Sequence, residues 1–97
     1  MLTIVYSAIW EILLPERGYN DAELRVLGRA IRGAREQRGM SPDELAGATG
    51  MSRQRIHELE TGHLDPSYEL LVVLAEGLDM QISVLIALVE ELKEREP

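Results

Sequence analysis

Cysteine and phenylalanine are both absent from the sequence, and the aromatic residues are one tryptophan and three tyrosines. The lack of cysteine excludes a disulfide framework and any cysteine-based zinc site, and it fits a protein of the reducing cytoplasm. The apolar residues are mainly leucine, isoleucine, valine and alanine, as expected for a small helical bundle. With 97 residues, the chain is long enough for one domain with a modest core.

The chain also lacks an apolar run long enough to cross a membrane. Its most apolar stretch, residues 1–14, contains Glu11, has no basic flank, and is shorter than the roughly 20 residues that a membrane helix needs. We therefore expect neither a membrane anchor nor a signal peptide there. Thr3, Ser7 and Glu11 would share one face of a helix and also one face of a strand. Residues 1–19 are accordingly expected to form an apolar arm and linker, with the arm either helix or strand.

The charges are divided unevenly along the chain. The formal net charge is −7, but the segment from Arg25 to Gly62 contains seven arginines and only five acidic residues, whereas the rest contains three basic and twelve acidic residues. A basic middle between acidic ends suits a protein that presents one face to DNA. Taken alone, without support from a helix pattern, the charge favours an acidic, soluble surface that has no such partner.

Two short helical patterns separated by a glycine follow one another in the middle of the chain. Ser41 and Glu44 have the spacing of a capping box, and Pro42 occupies the first helical position, where its missing N–H costs nothing. Gly50 provides the positive φ that a tight turn between helices requires, and Ser52 can cap the next helix. Such a pair can place its second helix in the major groove of DNA, although helical bundles without DNA contain similar pairs.

Three further helices are predicted around this pair. Asn20 and Glu23 have the spacing of a second capping box, which would begin a helix at about 21–38 with an apolar stripe. The stripe consists of Leu24, Leu27, Ile31 and Ala34. Beyond the pair, helices are expected at 67–77, with Leu70 among its inward residues, and at about 81–94.

Over residues 27–86 the sequence resembles the helix-turn-helix domain of the Xre/Cro and phage-repressor family. The matching residues are Arg35, Gly39, Leu45, Ala46, Gly50, Ile56, Glu60, Gly62, Pro66, Leu74, Ala75 and Leu78. The resemblance implies an all-α, five-helix domain, here residues 20–97 with an extended C-terminal helix. It also implies a cytoplasmic transcriptional regulator that binds double-stranded operator DNA, and we expect a homodimeric repressor on a palindromic operator.

The second helix of the pair is the expected DNA-reading element. Its apolar residues, Ile56 and Leu59, should face inward, which leaves a polar outer side. On that side, arginine can form two hydrogen bonds to guanine, and glutamine can do the same with adenine. The expected DNA-binding set, drawn partly from the resemblance, is Ser52, Arg53, Gln54, Arg55, His57, Glu58 and Arg38. The competing interpretation is an ordinary polar helix surface.

The resemblance gives Arg35 and Glu60 a structural role. In related repressors the equivalent residues form a partly buried salt bridge between the first helix and the end of the DNA-reading helix, so Arg35 is not counted as a DNA contact. Pro42 departs from the family, because some relatives have a phosphate-binding glutamine there. A phosphate contact at this point would have to come from backbone N–H groups at the helix start.

Dimer contacts are expected from the apolar arm and the fifth helix, which carry more apolar surface than a five-helix domain of this size can cover. The expected interface residues are Trp10, Ile12, Leu85, Leu88, Val89 and Leu92. In the alternative, the arm folds back over the core of its own domain.

No catalytic pattern, metal-ligand cluster or glycine-rich phosphate loop is evident, so we expect neither an enzyme nor a cofactor nor a metal site. Two other functions stay open. An antitoxin would use the same domain to repress its own operon and would also bind a toxin. A protein-interaction module would have kept the fold and lost DNA binding.

Overall fold

A computed structural model describes residues 19–95 of the chain, and this segment contains five α-helices and no strand. The helices are α1 (Asp21–Gln37), α2 (Pro42–Thr49), α3 (Arg53–Glu60), α4 (Tyr68–Gly77) and α5 (Ile82–Arg95). The prediction of an all-α, five-helix domain is therefore confirmed. The apolar arm, with Trp10 and Ile12, lies outside the described residues.

Side-chain caps define where the helices begin. At the start of α1, the Asn20 side chain accepts a hydrogen bond from the Glu23 N–H at 2.8 Å, and the Glu23 carboxylate accepts one from the Asn20 N–H at 3.1 Å. Ser41 and Glu44 form the same reciprocal pair at the start of α2, with both distances 3.0 Å. Each pair satisfies two of the backbone donors that a helix start leaves open. Both predicted capping boxes are confirmed.

All five helices contribute to the core, and α4 also packs against α5. Helix α1 packs against α3 and α5, while α2 packs against α3 and α4. The largest fully buried side chains are Leu27, Ile31, Leu45, Ile56, Leu59, Leu71, Leu74, Leu78 and Leu85. Together they form one continuous apolar cluster with the smaller residues around them.

The buried side of α1 differs from the predicted stripe. Leu24 is only half-buried, whereas Val26 and Ala30 belong to the core. Because α1 packs against both α3 and α5, its buried surface is wider than a single stripe, and it does not include Leu24. In α4, Leu70 is likewise half-buried rather than part of the core.

Two residues expected at a dimer interface are core residues instead. Leu85 has no exposed surface and Val89 is 3% exposed, since α5 packs its inner side against α1 and α4. They cannot present a surface to a partner, and that part of the expectation is wrong. Leu88 and Leu92 are half-buried at the edge of the core, and Val84 is 45% exposed on the same helix.

Between residues 19 and 95, no single helix is long and apolar enough to cross a bilayer. Helices α4 and α5 reach that length and apolarity only when they are counted together, across a bend of 101°.

Candidate nucleic-acid interface

The turn between α2 and α3 sets the angle between these two helices. Gly50 has a φ of +75°, the left-handed conformation that the sequence predicts for it. Next to it, the Thr49 hydroxyl donates to the Leu45 carbonyl at 2.8 Å and accepts from the Met51 N–H at 3.3 Å. The Ser52 hydroxyl then accepts from the Arg55 N–H at 3.1 Å and starts α3. Local hydrogen bonds therefore fix the turn on both sides of the glycine.

Helix α3 has one buried and one exposed side. Ile56 and Leu59 are completely or almost completely buried against α1 and α2. The expected DNA-binding residues of this segment lie at the surface: Ser52, Arg53, Gln54, Arg55 and His57 are exposed, and Glu58 is half-buried. The domain thus presents a row of polar side chains on a helix that is held by its apolar side.

The far end of α3 is attached to α1 by an ion pair. The Arg35 Nε lies 2.7 Å from Glu60 Oε2, and Arg35 Nη2 donates to Glu60 Oε1 at 3.1 Å, so the contact is a two-bond fork. Arg35 Nη1 also donates to the Met40 carbonyl at 2.8 Å. Both side chains are only 9% exposed. The structure thus contains the Arg35–Glu60 pair that the family resemblance implied.

The surroundings of Arg35 favour its charged form. The hydrogen bond to Glu60 and the negative charges of Glu60 and Glu36 raise the pKa of Arg35, and burial opposes this only in part. A permanently charged guanidinium at a nearly buried position needs its carboxylate partner. The pair therefore fixes α3 to α1 in one relative position.

Two polar residues of α3 have acidic partners within the domain. The Arg53 Nε lies 3.6 Å from Asp43 Oδ1, which belongs to the first turn of α2. The Gln54 Nε2 donates to Glu58 Oε1 at 3.2 Å, one turn further along α3. The second pair has ordinary helical spacing and could have been foreseen from sequence. The first depends on the angle between two helices, and the sequence pattern gave no signal for Asp43.

Arg38 lies at the end of α1 rather than on α3. It caps the carboxyl end of α1, and its Nη1 lies 3.7 Å from Asp79 Oδ2 in the turn between α4 and α5. Because the Asp79 side chain is 99% exposed, this pair is open to water and its charges are well screened. Arg38 can exchange Asp79 for another anion at little cost.

The two histidines have no metal-binding surroundings. His57 is exposed on α3, and the His63 Nδ1 lies 2.9 Å from the Thr61 hydroxyl. From residue 19 to residue 95, no group of three or more histidine, aspartate or glutamate side chains is placed to hold a metal ion.

Residues 26–88 match the family described as "Helix-turn-helix domain". The transcriptional regulator ClgR of Mycobacterium tuberculosis is 33% identical over 61 residues, which make up 63% of this chain and 54% of ClgR. An uncharacterized HTH-type transcriptional regulator of Sinorhizobium fredii, y4dL, is 36% identical over 52 residues, or 54% of this chain and 26% of y4dL. The matches therefore span about a quarter to about half of the length of these curated relatives.

The fold is shared with solved structures of other proteins. The clp gene regulator ClgR from C. glutamicum superimposes with a TM-score of 0.68 at 29% sequence identity, over 71% of this chain and 88% of that one. The restriction-modification controller protein C.AhdI from Aeromonas hydrophila gives a TM-score of 0.64 at 30% identity, over 66% of this chain and 97% of that one. Proteins related to this chain are thus transcriptional regulators and a controller protein.

Proposed function

This chain belongs to the helix-turn-helix domain family, among its Xre/Cro-like members, and on that premise we propose that it is a sequence-specific regulator of transcription that binds double-stranded DNA. The observation that carries the proposal is the two-sided character of α3. Its apolar side is buried, and its end is attached to α1 by the Arg35–Glu60 ion pair. Its exposed side consists of side chains that can form hydrogen bonds to bases and phosphates. We propose no catalytic activity, no cofactor and no metal site.

In this proposal, α3 lies in the major groove with its first turns toward the bases. Arg53 would bond to O6 and N7 of a guanine, and Gln54 would bond to N6 and N7 of an adenine. Ser52 lies just before them at the helix start, where hydroxyl and backbone N–H groups suit a phosphate. His57 and Glu58 would lie toward the next base pairs of the groove.

The phosphate contacts would come from around α3. Arg55 is exposed on α3. The ion pair of Arg38 with Asp79 is open to water and weak, so Arg38 could bind a phosphate instead. Pro42 cannot bind phosphate through its side chain, so we propose that backbone N–H groups at the start of α2 fill that role. The acidic residues of the rest of the chain would keep its other surfaces away from DNA.

We propose that the regulator is a homodimer on a palindromic operator and that it represses by covering the promoter. The edge of α5 supports this, since Leu88 and Leu92 are incompletely covered and Val84 is 45% exposed. The division into an arm over residues 1–19 and a DNA-binding domain over 20–97 belongs to the same proposal, with Trp10 and Ile12 as further contacts. A two-fold dimer would place two α3 helices about 34 Å apart, so half-sites should lie about 10 base pairs apart.

An antitoxin would share these features, because it would repress its own operon through the same domain. A toxin gene next to the gene for this chain, together with a stable complex of the two products, would favour that function. The exposed Arg53 and Gln54 favour DNA binding over a protein-interaction module that has lost it. In every case the regulator would act in the cytoplasm, where its operator lies.

The test is capture of genomic fragments by the purified protein, followed by sequencing of the retained DNA at increasing salt. If binding is specific, a few fragments that share a motif with two-fold symmetry should stay bound at the highest salt, while the rest of the DNA is released. Arg32→Ala removes one arginine from α1, where it pairs with Glu36 at 3.6 Å, and should leave the retained motif unchanged. Retention without any shared motif, or no retention at low salt, would contradict the proposal.

A further inference from the structure

Asp43 is an acidic residue on a surface that the proposed function turns toward polyanionic DNA. Its side chain is 69% exposed and that of Arg53 is 70% exposed, so neither residue is held in place by the core. Asp43 makes no contribution to the α2 capping box, which is formed by Ser41 and Glu44. The Asp43 carboxylate faces Arg53, which lies at the start of α3.

The contact between Asp43 and Arg53 is made at the Nε side of the guanidinium. Asp43 Oδ1 approaches the guanidinium at Nε, 3.6 Å away. A guanidinium has five N–H donors in a fixed fork, so a carboxylate on the Nε side leaves the terminal Nη groups for another partner. Two parallel hydrogen bonds from those groups are what O6 and N7 of guanine accept.

The carboxylate also disfavours the main competitor of a guanine, which is a phosphate oxygen. An exposed arginine in a groove can pair with the backbone of any sequence, and such a contact carries no base information. A negative charge beside the guanidinium repels phosphates, whereas a neutral base edge is not repelled in this way. If α3 binds DNA as proposed, Asp43 would lower the affinity for DNA in general and favour the contact that depends on sequence.

We infer that Asp43 is a specificity-determining positioning residue, which holds the Arg53 guanidinium for guanine and keeps it from the DNA backbone. The inference rests on the proposed DNA binding by α3. It assigns to the first turn of α2 a role in base selection, without a direct contact between Asp43 and a base.

The test begins with selection of binding sites from a randomised pool of double-stranded DNA by the full-length protein. The position read by Arg53 is the one whose base preference disappears in Arg53→Ala. At that position, Asp43→Asn should reduce discrimination between the preferred base and the other three by about two- to fivefold, the range expected for loss of an exposed ion pair. Binding to random-sequence duplex should become tighter, because a charge that repels phosphates has been removed.

Three comparisons separate positioning from a general effect of charge. Asp43→Glu keeps the carboxylate and should stay closer to wild type than Asp43→Asn. Glu91→Gln also removes a carboxylate paired with an arginine, Arg95, but on α5, and should leave discrimination unchanged. In an Arg53→Ala background, Asp43→Asn should have no further effect on discrimination at the Arg53 position. Circular dichroism and a thermal melt of each variant show that the fold is retained.

Failure of the inference and failure of the proposed function give different results. If wild type enriches no sequence, DNA reading by α3 itself is wrong. If wild type enriches a motif and Asp43→Asn keeps full discrimination at the Arg53 position, the positioning role is wrong. The role is also contradicted if Asp43→Asn weakens discrimination equally at all positions, or does so in the absence of Arg53.

Discussion

Gly28 of α1 lies directly against the backbone of Glu60 at the end of α3. A methyl group in place of the Gly28 hydrogen would lie 2.5 Å from the Glu60 carbonyl oxygen and 2.6 Å from that of Leu59. Non-bonded carbon and oxygen atoms do not approach each other so closely. The two oxygens belong to the backbone, which cannot rotate away as a flexible side chain could. The absence of a side chain at Gly28 therefore lets α1 pack closely against the end of α3.

Gly28→Ala should destabilise the domain although alanine is the better helix former. The methyl group would have to separate α1 from α3, and such overpacking costs about 1–3 kcal/mol. Gly33→Ala is the matched control on the same helix, since nothing lies within 4 Å of the added methyl group. It should stabilise the domain by about 0.5–1 kcal/mol through helix propensity. Urea denaturation of both variants measures the difference, and equal effects of the two substitutions would rule out the close approach.

Glu60→Ala should be one of the most destabilising changes in the domain. It would leave the Arg35 guanidinium nearly buried without its carboxylate, for which the typical cost is about 3–5 kcal/mol. Replacing both residues, as in Arg35→Met with Glu60→Leu, should cost less than Glu60→Ala alone, because no charge is then left uncompensated. Chemical denaturation of the single and double variants provides the comparison. A single variant as stable as wild type would mean that the pair contributes nothing to the fold.

The capping box at the start of α2 should make stability depend on pH in the acid range. Hydrogen bonds from the backbone and side chain of Ser41 lower the pKa of Glu44 below its ordinary value of 4.5. A carboxyl group whose pKa is lowered in the folded state adds stability above its unfolded pKa, and that stability is lost as the pH falls through the folded value. The difference in melting temperature between wild type and Glu44→Gln should therefore be largest near pH 6 and should shrink toward pH 3. Glu94→Gln, near the end of α5, serves as the control for loss of a carboxylate, and a difference that stays constant with pH would contradict the role of Glu44.

The sequence was sufficient to predict the features that depend on neighbouring residues. The capping boxes at Asn20 and Ser41 and the left-handed Gly50 are local, because each follows from residues three or four positions apart or from one glycine. For the same reason, the number and the order of the helices could be predicted from the sequence. The Arg35–Glu60 pair spans 25 positions, and it was expected only because the family resemblance implied it.

Features that depend on how helices pack were not predictable in this way. The periodicity of the sequence predicts a single apolar stripe on α1 that includes Leu24, which is only half-buried. Periodicity cannot indicate that a helix packs against two others, as α1 does against α3 and α5. The apolar character of Leu85 and Val89 makes them candidates for a dimer interface, yet both are buried inside the domain. The contact between Asp43 and Arg53 likewise arises from the angle between α2 and α3, which no spacing in the sequence specifies.

The most direct measurement of the central claim compares Arg53→Ala with Arg38→Ala on two DNA duplexes, one with the selected site and one of random sequence. If α3 reads bases through Arg53, Arg53→Ala should cost about 1–3 kcal/mol on the selected site, relax the preference at one position of each half-site, and affect random DNA much less. Arg38→Ala should weaken both duplexes by similar factors and reduce the salt dependence, as loss of a phosphate contact does. Equal loss on the two duplexes from Arg53→Ala would contradict base reading by this helix.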